Sequence, residues 1–183
     1  FYTGVSEGVV GIGRIISMLA VKDNELVVEE KGIYSIEKFI IARRLMYWQV
    51  YLHKTTLSAD QLITNIMKRA KEILANGFEL KTTDDLLYFL KLSNPVSLSI
   101  QLLENFNKID DSDLILNIKQ WQYCDDFVLS KLCKSLINRK LPKIIIQNKP
   151  FDKSAIEEKK NQALAGVKEL NESTIGYFVN TGT

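Results

Sequence analysis

The stretch SIEKFIIARRLMYWQVYLHKTT, from Ser35 to Thr56, carries its apolar residues at helical rather than alternating spacing, so the rest of the chain must be built around one long helix. Ile36, Phe39, Ile40, Met46 and Val50 form its core-facing side. Arg43, Tyr47, Tyr51 and Lys54 follow one another at steps of four, four and three, which places them on a shared stripe. A guanidinium, two phenols and an ammonium in one row suit a phosphorylated ligand. The same pattern also fits amphipathic side chains that bury their stems at the rim of a core and keep their tips in water. Spacing alone favours this second reading.

Helical signals continue on both sides. Val9, Ile12, Ile15, Ile16 and Leu19 give a short helix over residues 9–19, and Ala20 to Val28 reads as a β-hairpin turning at Asp23-Asn24. Ser35 is the expected N-cap of the long helix, with Glu37 in its first turn. Ser58 and Gln61 form a capping box for a helix that runs through Leu74 to Asn76-Gly77. Shorter helices follow from Thr83 to Leu90, Leu98 to Phe106, Asp113 to Trp121 and Asp126 to Asn138, with a break at Asn94-Pro95.

Beyond residue 140 the pattern changes. Lys143 to Gln147 is β-branched and reads as a strand, Ser154 and Glu157 box the start of a helix through Leu170, and Ile175 to Val179 reads as a second strand. The expected fold is mainly α with α+β character. A helical body over residues 1–140 carries a hairpin at 20–30, and a small strand-helix-strand unit, expected to be truncated, occupies 141–183.

Composition narrows the function classes. With 183 residues, 46% hydrophobic and 25% charged, the chain is of ordinary globular make-up. Its net charge of +2 supplies no field that argues for nucleic acid or a membrane surface. Lys68, Arg69, Lys71 and the pair Arg139-Lys140 stand near acids, as on solvated helix faces, so nucleic-acid binding is not expected. No apolar run approaches the ~20 residues of a membrane span. Cys124 and Cys133 lie nine positions apart with no further ligand pair nearby, which reads as reduced core thiols and a cytoplasmic protein. Gly4, Gly8, Gly11 and Gly13 do not make a phosphate loop, because the G-x-G-x-x-G order is not met and no Lys-Ser/Thr follows.

The strings FYTGVSEG, LAVKDNELVVEEKGIYSIEKF and ARRLMYWQVYLHKT resemble the C-terminal half of bacterial HD-domain phosphohydrolases. These are relatives of the deoxynucleoside triphosphate triphosphohydrolases, a group that includes the animal enzyme with SAM and HD domains. WQYCDDFVLSKLCKSLINRKL, KIIIQNKPFD and YFVNTGT resemble the distal part of the same proteins. In that family a metal-binding Asp precedes a stretch like FYTGV, so the resemblance implies that this sequence opens just after the last metal ligand. His53 is the one histidine of the chain, too few for an HD site, and no catalytic or metal-binding residue is expected within it.

The resemblance also implies roles. Arg43 matches an arginine that reaches the substrate triphosphate, and Tyr51 a tyrosine that packs against the deoxyribose. Tyr47 and Tyr2 are further candidates for the pocket. His53 and Lys54 match a pair that lies near a regulatory nucleotide in the animal enzyme. Leu52 stands where that enzyme has Gln, which removes one polar contact to the sugar. The implied function is the substrate-contacting wall of a phosphohydrolase that acts on deoxynucleoside triphosphates with a divalent metal ion, as a homo-oligomer. This stretch would be inactive by itself. The competing reading is a non-catalytic helical interaction module that docks a partner through exposed Leu86, Leu87, Leu90 and Trp121.

Overall fold

Asp23 and Asn24 both take positive φ, 52° and 64°. Short polar side chains tolerate that region, and two such residues in succession make the tight turn whose twist matches a β-hairpin. The computed structural model, which describes residues 10–92 and 98–181, shows the hairpin as β1 (Leu19–Lys22) paired antiparallel with β2 (Glu25–Val28), Leu19 opposite Val28. The Glu29 N–H extends the ladder to the Met18 carbonyl at 2.9 Å. Before the hairpin, α1 covers only Ile12–Ser17, because Leu19, expected in this helix, has already entered β1.

A short 3-10 turn, Glu30–Gly32, delivers the chain into α2 (Ile33–Met46). Ser35 is therefore not the N-cap: the turn has already wound the backbone, and the helix begins three residues earlier, at Ile33, with Gly32 at its cap and no side-chain bond. Gly32 is required by space, since a Cβ there would lie 2.7 Å from Val28 Cγ1 and 3.1 Å from Met18 Cβ. The long helix expected through Thr56 is interrupted. After α2 the chain widens into a π-turn, Tyr47–Tyr51, breaks at Leu52-His53, and restarts as α3 (Lys54–Ala75).

Ser58 is likewise not a cap. It lies inside α3, buried, and its hydroxyl donates to the Pro142 carbonyl at 2.7 Å, while Gln61 bonds Asn65. Compact units divide between Leu57 and Ser58, a different line from one drawn at residue 140. In the first unit Met18, Gly32 and Ala42 are buried, whereas Ile12, Ile16, Tyr34, Ile40, Ile41 and Trp48 stay exposed. The expected core side of the long helix is thus largely open: Ile40 is exposed, and Ile36 and Val50 are half-buried.

The second unit has a conventional core. The part of α3 from Ser58 packs with α4 (Asp84–Lys91), α6 (Asp111–Trp121) and α7 (Phe127–Ile137) around Leu62, Ile66, Ile118, Leu129 and Leu132; α5 (Ile100–Phe106) and α8 (Lys153–Gly166) complete the helices. Asn94-Pro95 lies outside the described residues. Asp110 begins α6 with a reciprocal capping box to Asp113, and Asp126 caps α7 by accepting from the Leu129 N–H. Buried Asn117 satisfies both ends of its amide, donating to Thr83 Oγ1 and the Asp113 carbonyl and accepting from the Thr83 N–H. Leu86, Leu90 and Trp121 are buried in this core rather than exposed, with Trp121 Nε1 donating to the Lys81 carbonyl at 2.9 Å. Their helical spacing marked an apolar face, and the face is filled from within.

The two strands expected near the C-terminus do not form. Lys143–Gln147 has no strand partner among the described residues, and Ile145 and Ile146 are exposed; β-branched residues favour a strand only where a pleated surface receives them. At the other position, Asn171 Oδ1 accepts from the N–H groups of Ser173 and Thr174 and from both their hydroxyls. That Asx turn winds the chain into a 3-10 turn, Ile175–Tyr177. Ser154 and Glu157 do not box α8, whose N-cap is Asp152; Glu157 instead accepts from Lys160. Among the described residues the architecture is mainly α, with one two-stranded hairpin near the N-terminus.

Candidate functional site

Arg43 stands on the last turn of α2, and Phe39 and Tyr47 stand one turn before and after it. Residues four apart on a helix neighbour one another, so Phe39, Arg43, Tyr47 and Tyr51 make one continuous series. Together with Val10, Ala42 and Met46 they line an open cleft of about 380 Å³ in the first unit. Phe39 and Met46, which the helical pattern assigned to the core side, line this cleft instead. The signal that would have placed Phe39 here is the step of four that already joined the other three.

The π-turn sets the geometry of the phenols. Residues four apart already neighbour one another on an α-turn, and the widened i→i+5 winding rotates the fourth relative to that arrangement. The Leu52 N–H donates to the Tyr47 carbonyl at 2.7 Å, the bond that defines this winding. In it the rings of Tyr47 and Tyr51 lie with centroids 5.1 Å apart at an interplanar angle of 51°. The Arg43 guanidinium sits 5.8 Å from the Tyr47 ring centroid, near the outer range of a cation–π contact. Among the described residues no carboxylate forms an ion pair with Arg43. An exposed guanidinium with an aromatic brace and no acidic partner can accept an anion, and the phenols offer rings to stack on and hydroxyls to donate.

Lys54 does not join them. It is the first residue of α3, exposed, and separated from the stripe by the break at Leu52-His53. His53 is also exposed, and its Nδ1 accepts from the Thr55 N–H at 3.2 Å. Tyr2 lies outside the described residues. No group of three His, Cys, Asp or Glu able to hold a metal ion occurs among the described residues. The guanidinium and phenols of the cleft are not the carboxylate or imidazole set that a divalent ion requires, so these residues do not fit a metal centre.

A second cleft of about 380 Å³ in the other unit contains Arg69, Gly77 and Asp126. Its charges are already engaged. Arg69 grips Asp126 through two nitrogens, at 3.1 and 2.6 Å, and Glu72 at 2.8 Å, and lies 5.8 Å from the Tyr177 ring. The Tyr177 hydroxyl donates to Glu72 at 2.6 Å, and the Asn65 amide donates to the Tyr177 carbonyl. The Tyr177 hydrogen bond, reinforced by Arg69, holds Glu72 below the usual carboxylate range. Burial would raise Asp126, but the Arg69 and Leu129 hydrogen bonds outweigh it and keep that carboxyl low. Burial and Glu72 push the Tyr177 phenol up to about 12. This cluster fastens the C-terminal segment and leaves no free cation. Cys124 and Cys133 are free thiols, Cys133 buried and pushed up to about 12 by desolvation.

Residues 10–104 match the HD associated region family. The chain belongs to that family. The match encloses Val10, the hairpin, α2, the π-turn and every described residue of the first cleft. Similar proteins include the uncharacterized protein YwfO of Bacillus subtilis, 32% identical over 161 residues that cover 86% of this chain and 35% of that protein. The uncharacterized protein MJ1154 of Methanocaldococcus jannaschii is 28% identical over 134 residues, 68% of this chain and 28% of its own length. The fold is similar to the crystal structure of a phosphohydrolase from Bacteroides thetaiotaomicron, with a TM-score of 0.88 and 41% identity over 97% of this chain and 44% of that one. The chain thus spans about a third of the curated relatives it matches, and less than half of the phosphohydrolase. Among the described residues no helix is long and apolar enough to cross a membrane.

Proposed function

We propose that this HD-associated region supplies the substrate-contacting wall of a phosphohydrolase acting on deoxynucleoside triphosphates. The observation that carries the reading is Arg43: a guanidinium at the rim of an aromatic cleft, braced by Tyr47, with no acidic partner among the described residues. The likeness to a phosphohydrolase at 41% identity supports it. In this reading Arg43 grips and orients the phosphates through its planar fork, and Tyr51 packs on the deoxyribose with Tyr47 beside it. Tyr2, near the start of the sequence, would belong to the same pocket. Divalent metal, and with it the hydrolytic step, would be supplied by residues outside this sequence, so the stretch is inactive by itself. His53 and Lys54 are the positions where an effector nucleotide would bind, and the full protein would be a homo-oligomer in the cytoplasm.

The test is calorimetric titration of the full-length protein with dGTP, and with GTP as control, in the wild type and in Arg43→Ala. Binding of the deoxynucleotide that weakens tenfold or more in Arg43→Ala is the expected result, since a charge-assisted pair is worth roughly 1.5–3 kcal/mol. Unchanged binding and unchanged phosphate release in that variant would remove Arg43 from the site. No binding of any deoxynucleotide would favour a helical interaction module.

A further inference from the structure

The join between the π-turn and α3 is held by side chains as well as by backbone hydrogen bonds. With the chain broken at Leu52-His53, the Val50 carbonyl receives the His53 N–H only at a long 3.3 Å. The half-buried Thr56 hydroxyl reaches back six residues and donates to the same carbonyl at 2.9 Å. A threonine inside a helix ordinarily bonds the carbonyl three or four residues before it, so this longer reach clasps two separate segments together. Val50 immediately precedes Tyr51, and fixing its carbonyl fixes the peptide plane from which Tyr51 springs. His53 Nδ1 meanwhile accepts from the Thr55 N–H, which caps the new helix and holds the clasp's other end.

We infer that Thr56 is a positioning residue for the cleft: its hydroxyl latches the π-turn in the winding that sets the Tyr51 ring beside Tyr47. Without the latch the segment can relax to ordinary α-winding, which rotates Tyr51 relative to Tyr47 and changes how their rings face each other. The inference builds on the reading of the cleft as a nucleotide site but makes a claim about the free protein as well.

The experiment compares wild type, Thr56→Val and Thr56→Ser in the full-length protein. Valine keeps the shape and removes the donor; serine keeps the donor. In the unliganded protein, the pattern of ring-to-ring NMR contacts between Tyr47 and Tyr51 should change in Thr56→Val and match wild type in Thr56→Ser, with thermal melting close to wild type in both. For deoxynucleotide turnover, KM should rise roughly five- to tenfold in Thr56→Val, the worth of one hydrogen bond, with kcat little changed and Thr56→Ser within about twofold of wild type. An unchanged ring-contact pattern in Thr56→Val overturns the inference, as does an unchanged KM. A changed pattern in a protein that binds no deoxynucleotide would uphold the latch and refute the nucleotide site.

Discussion

The units on either side of Leu57 contain similar apolar residues and place them differently. From Ser58 onward, Ile66, Ile118, Leu129 and Trp121 are enclosed, and buried polar groups such as Asn117 find all their partners. In the described part of the first unit, Ile40, Ile41, Tyr34 and Trp48 are not covered by other described residues of this sequence, and order comes from a hairpin ladder, helix hydrogen bonds and the clasped π-turn. Apolar side chains stabilise only through the area they remove from water, so equal composition does not mean equal stability. Among the described residues of this sequence, the second unit is held by its core and the first by local geometry.

Three measurements would break or sharpen that contrast. The largest effect is expected from Trp121→Ala, which empties the centre of the second unit and should lower its stability by about 3–5 kcal/mol in denaturant titration. In this stretch of chain by itself, Ile41→Ser, on the uncovered face, should stay within about 0.5 kcal/mol; similar losses at both positions would erase the distinction. Gly32→Ala comes next. Its new methyl meets Val28 Cγ1 at 2.7 Å, and the forced shift of hairpin from helix should cost the first unit roughly 1–3 kcal/mol while the second melts unchanged.

A further effect concerns acid. Glu72 and Asp126 are held below their ordinary range in the folded state, so their contribution is present above the unfolded value near 4 and disappears as pH falls through the folded values. Thermal stability of the second unit should be level from about pH 7 to 5 and decline below about pH 4. Glu72 is partly in water and accounts for less than about 1 kcal/mol of that decline. Asp126→Asn should flatten it, whereas an equal slope in that variant would mean that other carboxylates control acid unfolding.

Much of the helical layout was legible because its punctuation is local. Asp126 caps α7 with its own carboxylate, and Asp23-Asn24 turns the hairpin through its own backbone. Errors arose where a distant or structural partner decided. Ser58 looks like a cap until Pro142 takes its hydroxyl, and Leu86, Leu90 and Trp121 look like a docking face until the neighbouring helices cover them. Ile175–Val179 looks like a strand until Asn171 winds the backbone upstream. In the candidate site, the step of four grouped Arg43, Tyr47 and Tyr51, which do line one cleft. It also ran on to Lys54, because a π-turn has no residue signature and the break at Leu52-His53 cannot be seen in periodicity.

The placement of the tryptophans carries a spectroscopic consequence. Trp48 is 67% exposed and Trp121 1% exposed, and the chain contains no other indole. Their emission should therefore separate into a red-shifted component open to iodide quenching and a blue-shifted one shielded from it. Each unit is in effect supplied with its own intrinsic fluorophore, and unfolding of one can be followed against the other without a label.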